Sequence, residues 1–235
     1  MPISPAPTYV PLSKLPNFDP RTVPVIGIDT HLPAVRPEAL APKALRERFR
    51  DPPNWEPEVW NEPRIAERRS ARAAVLVPIV MRERPTILLT ERTTHLSTHS
   101  GQVAFPGGKR DDTDIDEAHT ALREAHEEIG LAPGMVEVIG QMPTYTTGTQ
   151  FIITPVVALV NPDHKLTLNA FEVADAFEVP LDFLMNPAHH HRHAIEWAGA
   201  RREWFSMPYM DGTTERFVWG ATAAMLRNFY RFLAA

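Results

Sequence analysis

The stretch Gly101–Leu131, GQVAFPGGKRDDTDIDEAHTALREAHEEIGL, constrains this chain more than any other. It reads as an apolar strand, a Pro-Gly-Gly turn, an acidic loop, and then a helix carrying Glu124, Glu127 and Glu128 close together. Ala118, Ala121, Leu122, Ala125 and Ile129 follow the i, i+3, i+4, i+7, i+11 spacing of a buried helix face. At about 100° per residue the three glutamates share an arc of roughly 100° on the other side, with Glu117 on the same arc two turns earlier. Asp114 is expected to cap the helix, Glu117 to complete a capping box, and Gly130 and Pro133 to end it.

Like charges at i, i+4, such as Glu124 and Glu128, cost roughly 0.2–0.5 kcal/mol on an exposed helix. Arg123 neutralises only part of that. A solvated acidic face is the plain alternative, but the tight Gly107-Gly108 turn holds the first turns close to the sheet and favours a divalent-cation site. All-oxygen ligands select hard cations, Mg²⁺ first and Mn²⁺ next, and the backbone carbonyl of Gly108 is a candidate additional ligand. Such ions also bind phosphate oxygens, so the expected substrate is a phosphoanhydride attacked by activated water. No serine, threonine or histidine nucleophile is needed.

The rest of the chain bounds this reading. Its 235 residues include no cysteine, which removes disulfides, thiolate zinc sites and cysteine nucleophiles and fits a reducing compartment. A formal net charge of −5 argues against a nucleic-acid-binding surface spread over the whole protein. No apolar run approaches the ~18–20 residues needed to cross a bilayer, and MPISPAPTYVPLSKLP lacks the basic start and apolar core of a signal peptide. A cytoplasmic protein without a membrane partner is expected.

Fourteen of the 24 prolines lie in the first 63 residues, so residues 1–70 read as a proline-rich arm laid over a main domain at 71–235. One short helix, Lys43 to Phe49, is plausible there, and Trp55 and Trp60 suggest that the arm docks; a homodimer contact is its alternative role. AAVLVPIVM and TILLT, joined by Arg82-Glu83-Arg84-Pro85, predict a hairpin, with Pro78 calling for an edge position or a bulge. Residues 136–143, 153–160 and 203–209 read as strands, Asp211-Gly212 as a hairpin turn, and Pro180 as the break between a short strand and a short helix. AHHHRH at 188–193 reads as a solvated loop. A final helix, Gly220 to Leu233, carries the apolar stripe Ala223, Leu226, Tyr230, Leu233. Strands and helices without regular alternation predict an α+β domain with a mixed β-sheet between helices.

Arg123–Leu131, REAHEEIGL, resembles the core of the Nudix box, REUxEExGU, where U is an aliphatic or small apolar residue. The resemblance implies a Nudix hydrolase: an α/β/α sandwich with a mixed sheet that cleaves nucleoside diphosphates linked to another moiety. It implies that Glu124, Glu127 and Glu128 bind the divalent cations and that Arg123 belongs to the catalytic motif. The family's glutamate eight residues before the arginine, and the glycine six before that, fall on Ile115 and Lys109. A loop one residue longer restores the glycine as Gly108 and leaves Asp112, Asp114, Asp116 or Glu117 to replace the glutamate.

Upstream, LLTERTTHLSTHSGQVAFPGG (Leu88 to Gly108) is similar to the LLTxR…GxxxFPGG signature of coenzyme A pyrophosphatases. Glu178–Leu181 and Phe217–Ala223 resemble later segments of the same group. This implies hydrolysis of the pyrophosphate of coenzyme A and its thioesters to 3′,5′-ADP and 4′-phosphopantetheine or its acyl form. Arg92 and His99 have side chains suited to phosphate recognition. Lys109 and Arg110, beside the turn, are candidates either to meet the phosphates or to face solvent, and Glu172 lies in a segment where some Nudix enzymes supply a base. Alternatives are a pyrophosphatase for ADP-ribose or another nucleoside diphosphate derivative, and a non-catalytic nucleotide-sensing module. Retention of all three glutamates favours the enzyme.

Overall fold

The computed structural model describes residues 12, 15, 18–62, 69–94, 101–197 and 200–235. The first of these supply β1 (Val25–Ile28) and α1 (Pro42–Arg50). Four strands follow, β2 (Ala71–Val80), β3 (Thr86–Arg92), β4 (Val103–Ala104) and β5 (Gly107–Lys109), and lead into α2 (Glu117–Ile129). Next come β6 (Val136–Gln141), β7 (Tyr145–Thr146), β8 (Phe151–Val160), β9 (Val173–Pro180) and the short α3 (Leu181–Leu184). β10 (His191–Trp197), β11 (Ala200–Asp211), β12 (Thr214–Trp219) and α4 (Gly220–Ala234) complete the order.

The central sheet has the order β4-β3-β2-β8-β6, with β5 on β2, β7 on β8 and β9 on β3. β2 and β8 pair in parallel over their whole length, from Ala71↔Phe151 to Val80↔Val160, while the other pairs are antiparallel. Both strands are nearly continuous apolar runs, as strands covered on both faces are. On one face Leu76, Val80, Leu88 and Val156 pack against Ala121, Ala125 and Ile129 of α2. On the other, Val77, Ile79, Ile87 and Leu159 share a core with Leu45 of α1 and Leu226, Phe229 and Leu233 of α4. The α+β reading with a mixed sheet between helices is borne out.

A second, antiparallel sheet of order β1-β10-β11-β12 lies on the α4 side and was not expected from the sequence. It adds Phe205, Met207 and Val218 to the core. Arg216 of β12 ties the two sheets together, pairing with Glu91 of β3, Asp175 of β9 and Asp211 of β11 over the ring of Phe177.

Two sequence expectations are corrected. Pro78 sits in a central strand, not at an edge. β2 is paired continuously with β8 on one side, but on the other β5 pairs only with Ala73–Val75 and β3 only with Ile79 and Val80. Leu76 N–H reaches Pro106 O in between, so Pro78 falls in a split where no ladder donor is required. The β2–β3 hairpin is accordingly paired only near its turn.

The histidine run is not a solvated loop. His191–Trp197 is β10, flanked by β1 and β11, and His190 and His193 are buried. His190 donates from Nε2 to Leu184 O at 2.8 Å and accepts from Arg227 at Nδ1. His193 lies between Val23 O and Ser206 Oγ and stacks on Trp204. Both nitrogens of each ring are satisfied by protein, as buried polar groups require.

The proline-rich residues contribute to the core. Helix α1 exceeds the expected Lys43–Phe49 by one residue at each end, Leu45 is fully buried, and Phe49 and Trp55 pack on Phe232. Trp60 is exposed. A buried charge network fastens this region, with Asp29 and Glu58 paired to Arg192 and to Arg227, which is only 1% exposed.

Candidate active site

Helix α2 starts two residues later than expected. Asp116 is the N-cap and accepts from His119 N–H at 2.7 Å, so the Asp114–Glu117 capping box is replaced by a different use of Asp114. Gly130, at φ 68°, closes the helix in the left-handed conformation that favours glycine. Asp114 is fully buried at the side chain and accepts two bonds from Arg123, at 3.0 and 2.9 Å. It also accepts from Asp111 N–H and Thr120 Oγ1 and meets His119 Nδ1. The Arg123 guanidinium holds the Asp114 carboxyl far below the usual carboxylate range, and Asp114 in turn raises Arg123. Of the four acidic candidates for the displaced glutamate, Asp114 is the one joined to Arg123; Ile115 is exposed.

Held by Asp114, Arg123 also reaches Lys109 O at 3.2 Å, Glu124 at 3.0 Å and Glu127 at 3.0 Å. It therefore locks α2 to β5 and gathers two of the three glutamates. Glu128 points inward, is buried, and accepts from Gly107 N–H at 3.1 Å. Burial pushes its carboxyl up to about 7, aided by the charges of Glu124 and Glu172 and against the Gly107 bond. Burial also raises Glu124, against the pull of Arg123. Among the described residues, no three acidic or histidine side chains converge on one point as drawn. Like charges separate, and the guanidinium draws Glu124 and Glu127 away from Glu128.

The donor set fits a hard divalent cation all the same. A Cβ built on Gly108 would stand 2.5 Å from the Glu124 carboxylate carbon, so only glycine lets that carboxylate lie against the turn backbone. Two carboxylates raised by burial and mutual repulsion, beside such a backbone, are the environment a cation relieves. Glu127, paired with Arg123 and with a side chain 55% exposed, stands on the solvent side of the same cluster.

A fourth carboxylate approaches from another element. The loop after β8 is stitched to the end of α2, Thr167 N–H to Ile129 O and Asn169 N–H to Glu128 O. Glu172 follows, and its charge raises both Glu124 and Glu128.

A cavity of about 590 Å³ opens at Gly107 and Arg92. Arg92, Gln102, Val103, Ala104, Phe105 and Gly107, all from the Leu88–Gly108 stretch, form one wall. The far wall is mostly carbon: Val59, Phe151, Trp204, Phe205, Trp219 and Met225. Two buried side-chain donors lack hydrogen-bond partners among the described residues, Arg92 Nε and Trp204 Nε1, and both residues line this cavity. Incomplete polar satisfaction confined to one cavity marks it as a ligand site.

The structure does not bring Lys109 there. Its side chain is exposed and borders a separate hollow with Arg72, Arg110 and Asp111. Arg110 is spent on Glu117 and on the Asp114 and Ile115 carbonyls. His99 lies outside the described residues. The sequence reading missed the contribution of Val59, Glu62 and the second sheet, because proline density marked the first segment as a cover and no motif linked it to the cavity.

The NUDIX domain model matches residues 70–205. An uncharacterized Nudix hydrolase, NudL, of Enterobacter sp. (strain 638) is 43% identical over 158 residues, covering 67% of this chain and 80% of its own. The protein of that name in Escherichia coli (strain K12) matches to the same extent. Among solved structures, a C. elegans Ap4A hydrolase binary complex is 20% identical at a TM-score of 0.41, covering 50% of this chain and 85% of its own. A NUDIX hydrolase from Alicyclobacillus acidocaldarius is 20% identical at 0.40, covering 51% and 83%. Neither structure bears on substrate.

Proposed function

The chain belongs to the Nudix family, and from that premise we propose that it hydrolyses the pyrophosphate of coenzyme A and acyl-coenzyme A, giving 3′,5′-ADP and 4′-phosphopantetheine or its acyl form. The observation that carries this reading is that Arg92, Gln102–Phe105 and Gly107, from the stretch that resembles the coenzyme A pyrophosphatase signature, wall a cavity beside Gly107, whose N–H binds Glu128. Glu124, Glu127, Glu128 and the Gly108 carbonyl would hold Mg²⁺ or Mn²⁺. The bound cation supplies charge neutralisation on the pyrophosphate and a more acidic water.

The chain's own groups do the rest. Arg92, whose Nε has no partner among the described residues, offers a fork to phosphate oxygens in the cavity it lines. Arg123, pinned by Asp114, keeps Glu124 and Glu127 beside the turn. Glu172 is the carboxylate suited to take a proton from water, because it comes from outside the α2 cluster yet lies within its field. The carbon-rich far wall keeps bulk water from the departing group.

The test is incubation with coenzyme A, acetyl-coenzyme A and ADP-ribose in Mg²⁺ or Mn²⁺, with identification of the phosphorylated products. Turnover of the first two to 3′,5′-ADP is expected. Turnover restricted to ADP-ribose would remove the coenzyme A assignment, and none at all by folded, metal-loaded protein would remove the enzyme.

A further inference from the structure

Residues 58–62 do not merely lie over the domain. The Asn228 side chain on α4 accepts the N–H groups of Glu58 and Val59 at 3.0 Å each and donates to Val59 O at 2.7 Å. The Glu58 carboxylate takes Arg227 at 2.7 Å and Arg192 at 2.8 Å. Two residues on, the backbone pairs with β7, Thr146 N–H to Trp60 O and Glu62 N–H to Thr146 O. The Glu62 carboxylate then takes the Tyr145 hydroxyl at 3.1 Å and Gly148 N–H at 3.0 Å. Five residues are thus laced at one end to the C-terminal helix and at the other to the loop after β7. Glu58, Val59, Asn61 and Glu62 all border the cavity.

The cavity itself changes character along its length. At one end it is lined by Arg92 and by Gly107, whose N–H binds Glu128 of the glutamate cluster. Around Val59, Phe205, Ala221 and Met225 it presents carbon; Glu58 and Arg192, which also border it, are spent on one another, on Asp29 and on Arg227, and Trp204 Nε1 is a buried donor without a partner among the described residues. A nucleobase would meet there polar side chains already engaged with protein, Glu58 with Arg227 and Arg192, Glu62 with Tyr145, and Thr222 with Val103 O. An aliphatic chain carrying a carbonyl acceptor matches both features, and continuity with the glutamate end makes it part of the molecule being cleaved.

We propose that this far end receives the apolar-ended, carbonyl-containing arm of the phosphoanhydride substrate, and that Val59, held by the Asn228 and Glu62 anchors, is the wall that limits the arm's length. The assignment rests on the coenzyme A reading and adds to it a length-selecting element from outside the family-matched residues 70–205.

The experiment is calorimetric titration of metal-free protein, in chelator, with coenzyme A and straight-chain acyl thioesters from acetyl to octanoyl. Wild-type affinity is expected to rise about two- to fourfold per methylene buried and then to level off. Val59→Trp should bring the plateau to a chain at least two carbons shorter. Ala221→Leu, on the wall contributed by α4, should do the same and carries the test if thermal unfolding shows Val59→Trp to be damaged. Equal affinity across the wild-type series, no binding of any thioester, or a plateau that both variants leave in place would overturn the proposal. Chain-length-dependent binding without hydrolysis in Mg²⁺ would remove the proposed activity and leave this inference standing. Hydrolysis of coenzyme A without chain-length dependence in binding would do the reverse.

Discussion

Gly107 and Gly108 are neighbours in one turn, yet an alanine at each should fail in different ways. At Gly108 a Cβ would lie 2.5–2.6 Å from the three carboxylate atoms of Glu124, the atoms nearest to it. Ordinary contact begins near 3.4 Å, so the carboxylate must retreat by about 1 Å, which its flexible stem allows. A misplacement of that size costs on the order of 10²-fold in rate where geometry is set for reaction. At Gly107 the Cβ would meet Ala74 O at 2.5 Å and Val75 Cα at 2.6 Å, both in β2, and φ is +156°. Neither atom can yield without moving the central sheet. An overpacking cost of about 1–3 kcal/mol follows, and at roughly 2–4 °C per kcal/mol for a chain of this size it is visible as a drop in Tm. Thermal unfolding and coenzyme A turnover in Mg²⁺, measured on both variants, separate the two effects. Gly108→Ala should keep its Tm and lose turnover, whereas Gly107→Ala should lose Tm. Near-wild-type turnover by a folded Gly108→Ala protein would refute the placement of Glu124 against the turn as a working part of the site.

Glu127→Gln should lower turnover by orders of magnitude with the fold intact, because it removes one charge from a repelling cluster; circular dichroism and product assays check both halves. With Glu128 raised to about 7 and holding the cation as proposed, proton and cation should compete for it, and apparent Mg²⁺ affinity should fall about tenfold per pH unit well below 7, read from activation curves at several pH values. His190 is held down to about 4 by burial against its ordinary 6.5, with Arg227 adding to the effect. Its contribution to stability is full above 6.5 and is lost as pH falls from 6.5 toward 4, at about 1.4 kcal/mol per unit. Urea unfolding of His190→Gln against wild type should therefore converge across that window, and parallel curves would contradict it. Glu62→Ala frees the Tyr145 hydroxyl and Gly148 N–H, and should raise KM for acyl-coenzyme A more than it lowers kcat.

What the sequence disclosed, it disclosed through local chemistry. The apolar spacing of α2 and the Gly130 stop are properties of a few adjacent residues, and the helix ends at Ile129 as that spacing requires. The N-cap was misassigned because an aspartate serves equally well as cap or as buried ion-pair partner. Which of Asp114 and Asp116 does which is decided by Arg123, one side of a tertiary contact. His190 and His193 looked solvated because their partners, Leu184 O, Arg227, Val23 O and Ser206, come from four other places in the chain. Pro78 argued for an edge because a sheet split by two short partners has no local signature. The far wall of the cavity was illegible for the same reason: Val59, Trp204 and Met225 share no spacing, only a destination.

The parallel β2–β8 pair carries a consequence for how the molecule comes into being. Each of its partners is separated by 80 residues of chain, so closing that loop costs roughly 4 kcal/mol of chain entropy before any contact repays it. Both β5 and α2 lie inside the loop. The helix can form early from its own residues, but the strand that holds Gly107 and Gly108 has nothing to pair with until β2 is in place. The acidic face therefore meets its glycine turn through the shorter β2–β5 pairing, whose partners Ala73 and Lys109 and their neighbours lie within that loop. Topology thus orders the steps: the shorter-range β2–β5 pairing that seats the glycine turn can precede closure of the 80-residue β2–β8 loop.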